Sequence, residues 1–165
     1  MQDGLVEVGP DDITTNLPYV PGAFMAFDHH ASEVRRSDGE KENHIIDASA
    51  PSAARVVYDY FGGKERFPQI SEAMMVAVDK ADAARFSKED ILNPEGWELL
   101  SFLMDARTGL GRFRDFNISN YQLMMKLIDV CREQKEIGEI LKLPDVKERV
   151  DLYFEQSIKF RQQVE

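Results

Sequence analysis

Apolar residues recur at two different periods along the chain, and the change of period divides it. Near the N-terminus the apolar runs are short and rich in β-branched residues: Leu5-Val6-Glu7-Val8, then Ile13-Thr14-Thr15, then the continuous Ala23-Phe24-Met25-Ala26-Phe27, which stops at a charged residue. Such runs predict strands. The turn formers between them, Gly9-Pro10-Asp11-Asp12 and Leu17-Pro18-Tyr19-Val20-Pro21-Gly22, predict the reversals. The run 23–27 has no polar face, the pattern of a strand in a parallel sheet covered on both sides. Val34 to His44 is polar without apolar periodicity and reads as a surface loop, after which Ile45-Ile46 offers a last brief strand.

From Pro51 the spacing becomes three and four. Ala53, Ala54, Val56, Val57, Tyr60 and Phe61 share one broad face, Pro51 or Ser52 suits a first turn, and Gly62-Gly63 ends the helix. A second helix is predicted over Ile70 to Arg85, with Ala73, Met74, Ala77, Val78, Ala81 and Ala84 inward. Ser87-Lys88-Glu89-Asp90 has the form of a capping sequence for a short turn ending at Asn93-Pro94. Trp97 to Met104 predicts a third helix, closed by Gly109 and Gly111. Tyr121 to Leu143 predicts a long one with Leu123, Met124, Leu127, Ile128, Cys131 and Ile137 inward. Pro144 in a first turn opens the last helix. The aromatic residues Trp97, Phe102, Phe113, Phe116 and Tyr121 are most simply read as packing. The fold class predicted is α/β: about four short N-terminal strands in a partial parallel sheet (residues 1–47), followed by roughly five helices (51–165).

Composition narrows the functional classes. With 165 residues, 43% of them apolar, the chain has the size of one domain. Thirty acidic against twenty basic side chains leave a net charge of −10, so the long-range field repels polyanions and bulk nucleic-acid binding is disfavoured. An acidic chain can still handle phosphate if bound divalent cations invert the local field. No apolar run approaches the roughly 18 residues of a membrane helix. The single cysteine, Cys131, sits in an apolar-periodic stretch and forms no internal disulfide; a cytoplasmic chain is the expectation.

The dense polar constellation is Asp28-His29-His30, placed where the buried strand ends. In open α/β sheets ligands bind at the carboxyl ends of strands, where loops converge. A His-His pair on a loop is more often merely solvated. Here, however, two of the chain's three histidines adjoin each other and an aspartate. Strand alternation would send Asp28 and His30 one way and His29 the other unless a turn intervenes. Asp79 and Asp82, three apart on a largely apolar helix, form a second candidate, since a buried carboxylate is costly unless paired or metal-bound. The plainer reading sets both acids on a solvated flank beside Lys80 and Arg85.

Phe27-Asp28-His29-His30-Ala31-Ser32-Glu33, with the apolar run before it, resembles the signature of the DHH phosphoesterase superfamily. Asn16-Leu17-Pro18-Tyr19, the segment Ala50 to Tyr58 and the segment Asp79 to Phe86 extend the resemblance to bacterial exopolyphosphatase-related proteins. The resemblance implies two Mn²⁺ or Mg²⁺ ions that generate a hydroxide and clamp phosphoryl oxygens. It further implies His29 as a metal ligand, Asp28 as its support and His30 as the residue facing the phosphate. Asp82 falls at the fourth-motif aspartate, with Asp79 as the reserve ligand. The phosphorylated substrate would be a small molecule or short oligonucleotide.

The departures from the family pattern shape the expectation for activity. The aspartate-x-aspartate loop has no counterpart here, since no strand precedes Asp3-Gly4. Asn16 stands where the family commonly carries a bridging aspartate, and the glycine-rich segment of the second, substrate-binding domain is absent. The expectation is therefore a fragment of a DHH-type hydrolase of phosphodiester or phosphoanhydride bonds, inactive or impaired as this chain. Its exposed apolar surface would favour homo-oligomers. The competing readings are a non-catalytic binding or assembly module that keeps the DHH shell, and a lone structural or storage metal site.

Overall fold

The computed structural model describes residues 7–36, 39, 41–105, 110–133 and 135–164. The expected strand pairing through Leu5-Val6, the Met1 to Gly4 terminus and the Gly109 helix stop lie outside the described residues. The chain forms two compact units, residues 1–68 with 78–85 and residues 69–77 with 86–165.

The first unit is built on a three-stranded parallel sheet of β1 (Ile13–Thr15), β2 (Met25–Asp28) and β3 (His44–Ile46), in the order β1-β2-β3. The register pairs Ile13 with Met25 on one side of β2 and Ala26 with His44 on the other. Because β2 is central, Ala26, Phe27 and Asp28 are all buried, whereas in the edge strand β1 only Thr14 is. The α/β class with a small parallel sheet holds. The two-faced apolar run was the legible sign of its central strand.

Helix α1 (Ala31–Arg36) corrects the predicted loop at Val34, Arg35 and Arg36, which are helical. Glu33 donates its backbone N–H to His30 O at 3.0 Å, and its acid in the first turn with Arg35 and Arg36 in the last complements the helix dipole. In α2 (Ala53–Tyr60), Ser52 caps the N-terminus by accepting from Arg55 N, as its position before the apolar face suggested. Phe27 meets the rings of Tyr60 and Phe61 at 5.2 and 5.7 Å. Gly62 ends α2 at φ 98°, where a side chain would also run into Arg66 Cγ at 2.9 Å. A single turn, α3 (Gly63–Arg66), follows.

Helix α4 (Glu72–Asp82) contributes residues to both units. It is shorter than predicted because Ala84 takes φ 51° and Arg85 N bonds back to Lys80 O, closing the end as a Schellman-type cap does. Met75 and Ala77 are its buried residues; Ala73 and Ala84, expected inward, are exposed.

The second unit packs helices α5 (Lys88–Leu92), α6 (Gly96–Met104), α7 (Asn120–Arg132), α8 (Ile137–Ile140) and α9 (Pro144–Val164). Leu99, Leu103, Leu123, Leu127, Ile140 and Val146 form the centre of their core. The capping box of Ser87 with Asp90 is present as read from the sequence, and Pro144 opens α9. The predicted helix from 121 to 143 is broken after Arg132. A straight continuation of the Leu123-Leu127-Val130 face would turn Ile140 away, whereas the break lets α8 bury it completely. Met124, Ile128 and Tyr121, expected in the core, are exposed. No helix among the described residues is long and apolar enough to cross a membrane.

His44, in β3, is sensitive to pH. Burial pushes the His44 imidazole below its usual range, against the upward pull of the Asp28 carboxylate. A group with a lowered folded pKa contributes stability above its unfolded pKa, about 6.5, and loses it as pH falls toward the folded value. The sheet unit is therefore expected to lose stability between pH 7 and 5, with His44→Gln flattening that slope in urea titrations. An unchanged slope would exclude His44 as its source.

Candidate functional site

Three parallel strands place their carboxyl ends along one edge, and that edge gathers Asn16, Asp28 and Asp47. Asn16, just past β1, sits at φ 57° and donates its N–H to Phe27 O. Asp47 N reaches Asp28 O at 3.2 Å, so the chain leaving β3 runs beside the chain leaving β2.

At the end of β2 the strand alternation stops because Asp28 turns on its own backbone. Its Oδ1 accepts from His29 N at 2.8 Å, from His30 N at 3.2 Å and from His30 Nδ1 at 2.7 Å. A short acid that reaches the next two amides makes a local turn. The turn brings the two imidazoles to 4.6 Å between ring centroids, where a continued strand would have sent them to opposite faces. Asp28 itself is fully buried. His30, half exposed, donates through Nδ1 and keeps Nε2 for an incoming group.

His29 is held from the other side. Its Nδ1 lies 3.2 Å from Ala50 O, and a carbonyl can only accept, so this nitrogen carries the proton. The remaining Nε2 is turned toward α4. It faces Asp82 Oδ2 at 3.2 Å without a hydrogen bond between them. Asp82 Oδ2 also accepts from Ala53 N, at the first turn of α2.

Residues unremarked in the sequence build this support. Asp47 Oδ1 accepts from Ser49 N and from Ser49 Oγ, and those bonds hold its carboxyl below the usual range. Ala50 N closes the same turn on Asp47 O, which sets the Ala50 carbonyl that orients His29. The Asp47-Ala48-Ser49 spacing is a turn signature that a search for local side-chain bonds would have found.

Asp79 is committed elsewhere. Its Oδ2 takes both Arg55 Nη2 at 2.6 Å and Arg55 Nε at 3.0 Å, and its Oδ1 accepts from Ser52 Oγ at 2.6 Å. The same serine caps α2, so one carboxylate braces α4 to the start of α2. For Asp79 the solvated-flank reading fails, since its cation is Arg55, whereas Asp82 stays exposed as that reading expects. The structure brings Asp28, His29, His30 and Asp82 together and places Asp79 in the bracing ion pair.

The donor set fits a divalent cation in part. His29 Nε2 and Asp82 Oδ2, 3.2 Å apart, form an ion pair when the ring is protonated and can turn to a shared cation when it is neutral. The buried Asp28 Oδ2 has no hydrogen-bond partner. Imidazole with carboxylate suits Mn²⁺ or Mg²⁺ through oxygen and Mn²⁺ through nitrogen. Yet no group of three or more His, Cys, Asp or Glu among the described residues is arranged to hold a metal. His29 and Asp82 are thus two residues that could hold a cation, and no third joins them among the described residues.

No family model matches this chain. No curated protein matches it either. Among solved structures it is similar to a pGpG-specific phosphodiesterase, PggH from Vibrio cholerae, at 52% sequence identity and a TM-score of 0.86. The match covers 99% of this chain and 51% of that one. Over almost its whole length, then, the chain is similar in sequence and fold to about half of a phosphodiester hydrolase.

Proposed function

We propose that this chain carries the phosphate-handling face of a metal-dependent phosphodiester hydrolase of the DHH type, acting on a short oligonucleotide of dinucleotide size. The observation that supports it most directly is the Asp28 turn, which sets His29 Nε2 3.2 Å from Asp82 and leaves His30 Nε2 open. The pGpG specificity of the 52%-identical phosphodiesterase supports the substrate class. His29 and Asp82 would hold one Mn²⁺ or Mg²⁺, which supplies charge to neutralise phosphoryl oxygens and to acidify water. Asp28 fixes the His30 ring through Nδ1. From Nε2, protonated His30 gives its proton to the leaving sugar oxygen as water adds to phosphorus and the P–O bond breaks.

Turnover by the 165-residue chain is low in this reading, because two protein ligands cannot hold paired ions about 3.5–4 Å apart. Titration with Mn²⁺ is expected to show weak binding that falls at least tenfold in His29→Ala and in Asp82→Ala but survives Asp79→Asn. Mn²⁺ binding indifferent to His29 and Asp82 would overturn the ligand assignment. Assays with pGpG and with polyphosphate separate the diester from the anhydride substrate class. Rapid hydrolysis abolished by His30→Ala would overturn the expected impairment.

The shortage of ligands also favours a second reading, a binding module that retains the turn and lacks turnover. It predicts pGpG binding with no hydrolysis at any Mn²⁺ concentration, even when the half of the solved relative outside the match is added.

A further inference from the structure

Helix α7 is apolar on two faces. Leu123, Leu127 and Val130 enter the core of the helical unit. On the outward side Tyr121 is 71% exposed, Met124 51%, Met125 49% and Ile128 55%. Their spacing of i, i+3, i+4 and i+7 places all four on one stripe. Lone exposed apolar side chains need no explanation, but four on one stripe of about 10 Å, in a chain this acidic, do.

We propose that this stripe is the contact of a two-fold symmetric homodimer in which α7 packs antiparallel on α7 of a second copy. Three observations choose that occupant. The stripe is symmetric about its own midpoint: reversing it places Tyr121 opposite Ile128 and Met124 opposite Met125, so each pair is made twice. That is the self-complementarity an isologous interface requires.

The charges agree with the antiparallel direction. The nearest exposed acid on the helix is Asp129, which faces Asn120 when the second helix is reversed and would face another Asp129 if the helices ran parallel. Arg132 lies 3.7 Å from Asp129 within the chain and offsets its charge at the rim. The area is also adequate. At about 150–250 Å² for a large side chain, these exposures come to roughly 400–500 Å² per copy, so the stripe with its rim reaches the ~1,000 Å² that a specific interface needs. Two unbranched methionines at the centre can adjust to close contact.

Sedimentation equilibrium of the purified chain tests this directly. The expected mass is that of two copies at tens of micromolar, with association strengthened by added salt, since both copies carry a charge of −10. Met124→Glu with Ile128→Glu, on an exposed face that leaves the circular dichroism spectrum unchanged, should weaken association at least 100-fold. In a Cys131→Ser background, mixing Tyr121→Cys with Ile128→Cys should give a disulfide between the two variants and little within either alone. A wild-type monomer at 100 µM, as when other chain or another protein covers the stripe, overturns the proposal. Cross-linking of Tyr121→Cys to itself overturns the antiparallel geometry.

Discussion

Asp28→Ala is expected to lower the stability of the sheet unit by about 3–5 kcal/mol, the loss typical of removing one partner from a buried charged network. The residue is fully buried, and its Oδ1 satisfies two backbone amides and one imidazole. Alanine removes all three bonds together and leaves the His29 and His30 amides without that acceptor, which costs more than the bonds contribute. Urea denaturation followed by far-ultraviolet circular dichroism measures the loss. Asp28→Asn should cost less, because its amide oxygen can still accept at the Oδ1 position. A change within about 0.5 kcal/mol, as for an ordinary surface substitution, would show that the turn is held by something else. In the proposed site the same substitution frees the His30 ring, so weakened phosphate binding should accompany the loss of stability.

A loss of similar size is expected at Arg149, in the helical unit. Its side chain is wholly buried, yet all of its directions are used: Nε to Asn120 Oδ1, Nη1 to Asp145 O and Glu148 Oε1, Nη2 to Ile118 O, with Phe116 3.9 Å from the guanidinium carbon. Segments of chain before and within α7 and α9 are tied by one planar cation, which is what a fork of fixed donors does and a point charge does not. Arg149→Met would keep much of the volume but take the donor from the Asp145 and Ile118 carbonyls, from Asn120 and from Glu148, at about 3–5 kcal/mol. Arg149→Lys should recover little of it. Trp97, the chain's one tryptophan, lies in this unit, so its fluorescence reports the transition. If Arg149→Met unfolds at the wild-type urea midpoint, the cation is not what joins these segments.

Much of the local structure was legible because its causes are local. Ser52, Ser87 with Asp90, Gly62 and Pro144 act within four residues of themselves, and each does in the structure what its position suggested. The end of β2 at Asp28 followed from an apolar run meeting a charge. Errors gathered where a periodic pattern had more than one way to be buried. Helix α7 has two apolar faces, and periodicity alone does not tell which one meets a core. The long helix through residue 143 failed for the same reason, since only the partners of Ile140 decide where the chain must bend.

The site divides along the same line. That Asp28, His29 and His30 stand together at a strand end is a property of adjacent residues, and the chain's resemblance to DHH phosphoesterases begins there. Which acid joins them is not. Asp79 and Asp82 are three residues apart and chemically identical, and one is taken by Arg55, 24 residues away, while the other meets His29. The Ala50 carbonyl that sets the His29 tautomer is a backbone atom with no signature in residue type.

By itself, then, the sequence determined the class of sheet, the caps and the place of the Asp28 turn, because those depend on interactions spanning a few residues. Only the tertiary structure decided which face of α7 is buried, which aspartate braces and which faces His29, and where an arginine could be buried. Those outcomes depend on partners far apart in the chain, such as Arg55 with Asp79, Asn120 with Arg149 and His29 with Asp82, and no pattern along the chain encodes them.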